Sequence, residues 1–175
     1  TLTPPSLEDN TGDADRLIRT LKRRLAADAV RIELPLLRRL PALLREADWS
    51  LRCVVFQEPG GWVVTRVFGG HDPRPVAGLA VDLGTTRVVM RLLDLETRET
   101  LGERAFDNPQ LSVGPDILAR IHFADTPGGL ERLNALIVDG FNREIAGLCG
   151  NAGVSTDDVC LVAVAGNTAM THLFL

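Results

Sequence analysis

The chain has 175 residues, 45% of them hydrophobic and 24% charged, with a formal net charge of -4. That length suffices for one good core, or for one small domain joined to part of another, and the composition is globular rather than fibrous or disordered. The acidic balance gives no electrostatic footprint for nucleic acid, and no apolar run approaches the roughly 20 residues that span a bilayer.

TLTPPSLEDN at the start lacks the basic and apolar regions of a signal peptide. The expectation is a cytoplasmic protein without nucleic-acid or membrane partners. With no initiator Met, the chain reads as a fragment or processed product. Residues 1 to 10 are an extended leader, because Pro4 and Pro5 rule out helix. Thr11 is placed to cap a helix with Asp13 and Asp15 in its first turn, and Ala14, Leu17, Ile18, Leu21 and Leu25 recur at helical spacing. The basic residues of RTLKRRLAADAVR, 19 to 31, fall on the polar side of that helix and read as a solvated face. Pro35 suits the first turn of a second helix, and Pro41 inside it implies two short helices or one kinked helix. SLRCVVFQ and GWVVTRVF follow as strands of a hairpin turned at EPGG.

Glycine and proline concentrate in GGHDPRPVAG, residues 69 to 78, the natural boundary between two domains at 1–75 and 76–175. GLAVDLG, TRVVMRLLDL and ETLGERAF are three consecutive strands, with a turn at Asp94–Thr97. Gly114-Pro115-Asp116 has helix-start chemistry ahead of ILARIHFA. Leu130, Leu133, Ile137, Phe141, Ile145 and Leu148 form one apolar stripe on the next helix, which Gly150 would end in the left-handed conformation. Ser155 caps a short turn. VCLVAVAG, nearly all apolar, predicts a strand buried on both faces, and NTAMTHLFL opens a last helix. The second domain thus runs β-β-β-α-α-β-α, an α/β order.

Cys53, Cys149 and Cys160 lie far apart without a Cys-x-x-Cys pair, which excludes a zinc or four-thiolate iron–sulfur site within the chain. They read as small hydrophobes. His71, His122 and His172 have no second ligand at metal spacing, and Trp49 and Trp62 flank the hairpin as packing residues.

Two stretches carry chemistry. In DLGTT, Gly84 lets the backbone approach an anion, consecutive N–H groups and the hydroxyls of Thr85 and Thr86 can donate to phosphate, and Asp82 can hold Mg²⁺ through water. A tight hairpin whose aspartate and threonines only serve the turn is the other reading. Its place on the first of three strands leading to helices and a buried fourth strand favours the cradle. In VAVAGNTAMTH, a strand delivers Gly166, Asn167 and Thr168 to a helix start at the carboxyl edge of a sheet, where α/β sheets bind ligands. Asn167 or Thr168 can equally be the helix cap, and a capping loop can also line a cleft.

The strand–DLGTT–strand–turn–strand run resembles the phosphate-1 element of the acetate kinase, sugar kinase, heat-shock chaperone and actin ATPase superfamily, and AGNTAM resembles its connect element. PPSLEDNTGDADRL, LLRRLPALLREADW, GLAVDLGTTRVV, DNPQLSVGPDILARI and VAVAGNTAMTHL, in that order, resemble the ATP-dependent reductive activators of corrinoid proteins. The likeness covers nearly the whole chain. Arg87 replaces a commonly small residue, and SVGPD stands where an aromatic often precedes the glycine.

The resemblance implies a small α+β middle domain followed by a partial ribonuclease H-like, actin-like ATPase lobe. It implies a full-length protein with a [2Fe-2S] ferredoxin domain, absent here, that couples ATP and Mg²⁺ to reduction of Co(II) to Co(I) in a corrinoid protein or corrinoid-dependent methyltransferase. Asp82 would face the metal, Gly84, Thr85 and Thr86 the phosphates, and Asn167 and Thr168 would be the connect-element pair with a catalytic role. Asn108, Gln110, Asp116 and Arg120 match a motif without an assigned role, and the spacing of Asp116 and Arg120 reads as an ion pair. The chain ends before a second phosphate motif, so alone it is expected to bind nucleotide weakly and turn over nothing. Two other functions remain: a small-molecule kinase of the same fold, or a non-catalytic docking or oligomerisation module. A sheet edge left bare could pair with a second copy as a homodimer.

Overall fold

The computed structural model describes residues 1–175, which divide into Thr1–Pro73 and Arg74–Leu175. In the first unit, helix α1 (Asp13–Leu25) buries Leu17 and Leu21, and its basic residues Arg19, Lys22, Arg23 and Arg24 are exposed. Thr11 is not the cap. Gly12 holds that position, while the Thr11 hydroxyl donates to Asp9 at 2.6 Å. Asp9 outcompetes the helix end for Thr11 because it also receives Arg16 Nη1 at 2.6 Å, and Arg16 is buried at 6% exposure. Arg16 Nη2 further donates to the carbonyls of Asp9 and Thr11, so one buried guanidinium ties the leader to α1.

Those hydrogen bonds, the Thr11 hydroxyl first and Arg16 next, hold the Asp9 carboxyl well below the ordinary carboxylate range. A carboxylate depressed in the folded state contributes stability above its unfolded value of about 3.9, and that contribution drains away as pH falls below it. Both tryptophans lie in this unit, so Trp fluorescence reports its unfolding alone. Urea melts followed that way should show stability falling between pH 5 and pH 2 (about one unit above to two below the usual aspartate value), with a shallower fall in Asp9→Asn. An identical pH profile in the variant would show that the Asp9–Arg16 tie contributes nothing.

Strand β1 (Val30–Ile32) is too short to announce itself in the sequence, yet it pairs parallel with β3. Helix α2 (Leu34–Glu46) is one continuous helix with Pro35 in its first turn. Pro41 is tolerated inside it because it sits on the exposed side, where water can take the carbonyl left without an N–H partner. Leu40 and Leu44 face inward and are fully buried. β2 (Leu51–Glu58) and β3 (Gly61–Gly69) pair antiparallel, with Glu58 opposite Gly61 across Pro59-Gly60. The sheet order is β1-β3-β2, and Val64, Val67 and Trp49 pack with Leu17, Leu40 and Leu44 in its core. Cys53 packs against that core, and burial pushes its thiol up to about 11, so it is unreactive at neutral pH.

The second unit is a four-stranded sheet, order β6-β5-β4-β7, with helices on one face. β4 (Ala77–Leu83), β5 (Arg87–Asp94) and β6 (Thr100–Asp107) form an antiparallel meander, and β7 (Val159–Gly166) lies parallel to β4. Alternation sends Leu79, Val81 and Leu83 into the core and Ala80 and Asp82 to the exposed face. Leu133, Ile137, Phe141 and Leu148 of α4 (Gly129–Ala152) are the buried stripe, but Leu130 stays 45% exposed. α4 runs past Gly150 and ends at Gly153, whose φ of 66° is the left-handed cap. Cys149 is buried in this core, and burial raises its thiol.

Two further expectations change. β7 is not buried on both faces: Leu161, Val162 and Val164 are 37% to 50% exposed, because β7 is the edge strand and has β4 on one side only. Asp116 is the cap of α3 (Ile117–Ala124), accepting from Ala119 N–H at 2.8 Å. Its carboxylate is therefore engaged at the helix start, and Arg120 does not pair with it but turns into the core.

Candidate phosphate-binding edge

Register brings the two motifs together. Leu83 and Gly166 are opposite each other on parallel β4 and β7, so both strands end at the same edge of the sheet. From there Gly84-Thr85-Thr86 continues β4, and Asn167-Thr168 continues β7 into α5 (Thr168–Phe174). Asn167 Nδ2 donates to Thr85 Oγ1 at 3.2 Å, a direct link between them. Asn167 is also the α5 cap, its Oδ1 accepting from Met170 N–H at 2.9 Å. Thr168 and Thr86 are exposed beside it.

The loop is held from behind by residues whose part the sequence left open. Asp107 ends β6, and Asn108 follows with its side chain 1% exposed. Asn108 Nδ2 donates to Gly84 O at 2.8 Å, and its backbone N–H donates to Thr86 O at 2.8 Å. Arg120 Nη2 donates to Thr85 O at 2.7 Å. Every carbonyl of Gly84-Thr85-Thr86 is thus pinned from within the unit. A trans peptide sets each C=O opposite the next N–H, so anchoring the carbonyls of Gly84 and Thr85 turns the amides of Thr85 and Thr86 the other way. Neither amide donates to a backbone acceptor of the loop. That leaves two N–H groups and two threonine hydroxyls in sequence, the donor pattern that an anion-binding concavity requires.

Asp82 lies at its lip, exposed and two residues before Gly84. No group of three or more His, Cys, Asp or Glu side chains is placed to cage a metal ion. A magnesium ion carried on phosphate oxygens, and meeting Asp82 through its own waters, fits this arrangement better than a protein cage. His71, His122 and His172 are all exposed.

Behind the loop the polar groups are connected and buried. Gln110 and Arg120 are both 0% exposed. Asn108 Oδ1 accepts from Gln110 N–H at 2.9 Å, capping the 3-10 turn Pro109–Ser112. Gln110 Nε2 donates to Leu133 O of α4 at 3.0 Å, and its Oε1 accepts from Arg120 Nη1 at 3.3 Å. Arg120 Nε donates to Gly114 O at 2.9 Å, and Nη1 also lies 3.4 Å from Met170 Sδ of α5. Pro109 seats directly on α4 at Gly140, where an added Cβ would come within 2.6 Å of Pro109 Cγ. Burial pushes the Arg120 guanidinium below its ordinary value while Asp116 opposes the shift; an arginine stays charged regardless. The sequence signal for this network was one cation inside a short apolar helix, ILARIHFA, which spacing alone assigned to the wrong partner.

Comparison with known proteins gives a consistent result. The family model described as the RACo linker region matches residues 1–72, and that described as the RACo middle region matches residues 77–175. The corrinoid activation enzyme RamQ of Eubacterium limosum is 30% identical over 117 residues, which is 66% of this chain and 20% of that protein. A solved structure described as a reductive activator for corrinoid, iron-sulfur protein is similar over 99% of this chain and 28% of its own, with TM-score 0.83 and 35% identity. The chain therefore spans less than a third of the length of either relative.

Proposed function

The chain belongs to the RACo family, carrying its linker and middle regions, and from that premise we propose that residues 82–86 and 167–168 form the phosphate-binding edge of an ATP site. The protein containing them would be an ATP-dependent activator of a corrinoid protein, as the names of its relatives suggest. One observation carries the reading: all three loop carbonyls are tied down from behind, which turns the Thr85 and Thr86 amides away from that network, with Asp82 exposed two residues before the loop.

In this reading Thr85 and Thr86 hold phosphate oxygens through their amides and hydroxyls, and Asp82 orients the water shell of Mg²⁺. Asn167, fixed against Thr85, and Thr168 present polar groups from the adjoining strand toward the outermost phosphate. ATP supplies the free energy for an uphill electron transfer that returns Co(II) to Co(I) in the partner. No cluster is assigned to this chain's thiols: Cys53 belongs to the first unit, and Cys149 and Cys160 to separate elements of the second. A [2Fe-2S] cluster would belong to another part of the protein, as would the remainder of the nucleotide site. No helix of this chain is long and apolar enough to cross a membrane.

Calorimetry of Mg-ATP on the full-length protein tests this, with Asp82→Ala beside the wild type. Wild-type binding should be magnesium-dependent, and the variant should lose roughly tenfold in affinity, or about 1.4 kcal/mol, only when magnesium is present. Equal binding by the two proteins would reduce DLGTT to a turn.

A further inference from the structure

The buried cation behind the loop has no carboxylate partner. Arg120 is fully enclosed, and its hydrogen-bond partners are the Gly114 and Thr85 carbonyls, the Gln110 amide oxygen and the Met170 sulfur, all neutral. The nearest acid, Asp116, spends its carboxylate on the Ala119 amide. Enclosing a guanidinium without a hydrogen-bonded counter-ion is costly, and an apolar side chain of the same length would fill the space without that cost. The charge instead meets the Thr85 carbonyl, on the side of that peptide opposite the Thr86 N–H.

We infer that Arg120 is a positioning residue for the phosphate loop, acting through the Thr85 peptide and supplying the positive charge that a bound polyphosphate completes. The inference rests on the phosphate reading of DLGTT and adds the residue that prepares it. Nη2 fixes the Thr85 carbonyl, so the Thr85–Thr86 peptide cannot flip its N–H inward. Nη1 reaches Gln110 and Met170, so the same side chain also sets the 3-10 turn and α5 against the loop. Burial away from water leaves the guanidinium's field weakly screened toward the anion side. Lysine cannot reproduce this, because it lacks the planar fork that spans Gly114, Gln110 and Thr85 at once.

The test uses the full-length protein with Mg-ATP, Mg-ADP and adenosine as probes, and compares Arg120→Met, Arg120→Lys and wild type. Arg120→Met should weaken both nucleotides by about 30-fold while leaving adenosine within about twofold, since adenosine carries no charge to meet. Arg120→Lys should recover most of the nucleotide affinity but accelerate hydrogen exchange at the Thr85 and Thr86 amides, because charge returns without the fork. Equal losses for adenosine and Mg-ATP in Arg120→Met would make Arg120 a structural tie and overturn the proposal. So would nucleotide binding that Arg120→Met leaves intact. If Arg120→Met does not fold, Arg120→Lys decides: unchanged loop exchange overturns the positioning role, and faster exchange with retained affinity supports it. A wild type that binds no Mg-ATP overturns the phosphate reading, and this inference with it. A wild type that binds beside an indifferent Arg120→Met overturns this inference alone.

Discussion

If residues 82–86 cradle phosphate, Gly84→Ala should abolish Mg-ATP binding in the full-length protein and destabilise the β4–β5 connection by about 2–3 kcal/mol, the cost of forcing a side chain into closed backbone. The requirement at Gly84 is space rather than an unusual φ, because its φ is not among the positive ones. A Cβ there would run into the carbonyl oxygen of Arg87, which is backbone and cannot swing aside as a side chain would. Relief requires opening the turn between Leu83 and Val88, paired across β4 and β5. Opening it pulls Gly84 O from Asn108 and tilts the Thr85 peptide away from Arg120. Both amides that form the concavity then lose their alignment together. Hydrogen exchange at β4 and β5 amides in the full-length protein, beside nucleotide calorimetry, checks both halves of the claim. Wild-type protection with intact binding in Gly84→Ala would show that the loop is looser than its hydrogen bonds indicate.

How far the sequence alone reached depended on whether a feature is local or borrowed from distant residues. The strands and helices of the second unit follow from alternation and three-or-four spacing, and they lie where those patterns put them. DLGTT and AGNTAM could be singled out because glycine, hydroxyl and carboxylate at close spacing are a local signal. Their meeting depends on parallel pairing of β4 with β7, which aligns Leu83 with Gly166 across 83 positions of chain. β7 shows the opposite limit. An apolar composition says that a strand prefers burial on both faces; it does not say whether the neighbours are present, and here Val162 is half exposed. The cap at Thr11 failed for a related reason, since Asp9, itself held by Arg16, takes the Thr11 hydroxyl from outside the helix. Arg120 failed most instructively. Spacing of four on a helix favours a pair with Asp116, worth only about 0.2–0.5 kcal/mol on a surface. Capping α3 and enclosing the guanidinium among four neutral acceptors outweighed that small preference.

Asn108 carries the second large effect. Its side chain joins Gly84 O to Gln110 N–H; Gln110 is fully enclosed, where water cannot replace the lost partner, and Gly84 is half-buried. Truncation in Asn108→Ala leaves one buried donor and one half-buried acceptor unpaired, the first costing about 1–3 kcal/mol and the second about 1–2 kcal/mol. The expected loss is therefore about 2–5 kcal/mol, a large fraction of the 5–15 kcal/mol that holds a typical domain together. The backbone bond from Asn108 N–H to Thr86 O survives the substitution, so the loop should remain attached at one point while losing its hold on Gly84. That asymmetry makes the prediction specific. Hydrogen exchange should rise at Gln110 and throughout Gly84–Thr86, and much less at the β5–β6 pairs remote from the turn, such as Arg91 with Glu103. Uniform acceleration across the whole sheet would mean that Asn108 supports the unit as a whole rather than the loop. Unchanged exchange at Gln110 would mean that its amide finds another acceptor, and the buried network would then owe its order to Arg120 and the Pro109–Gly140 contact instead.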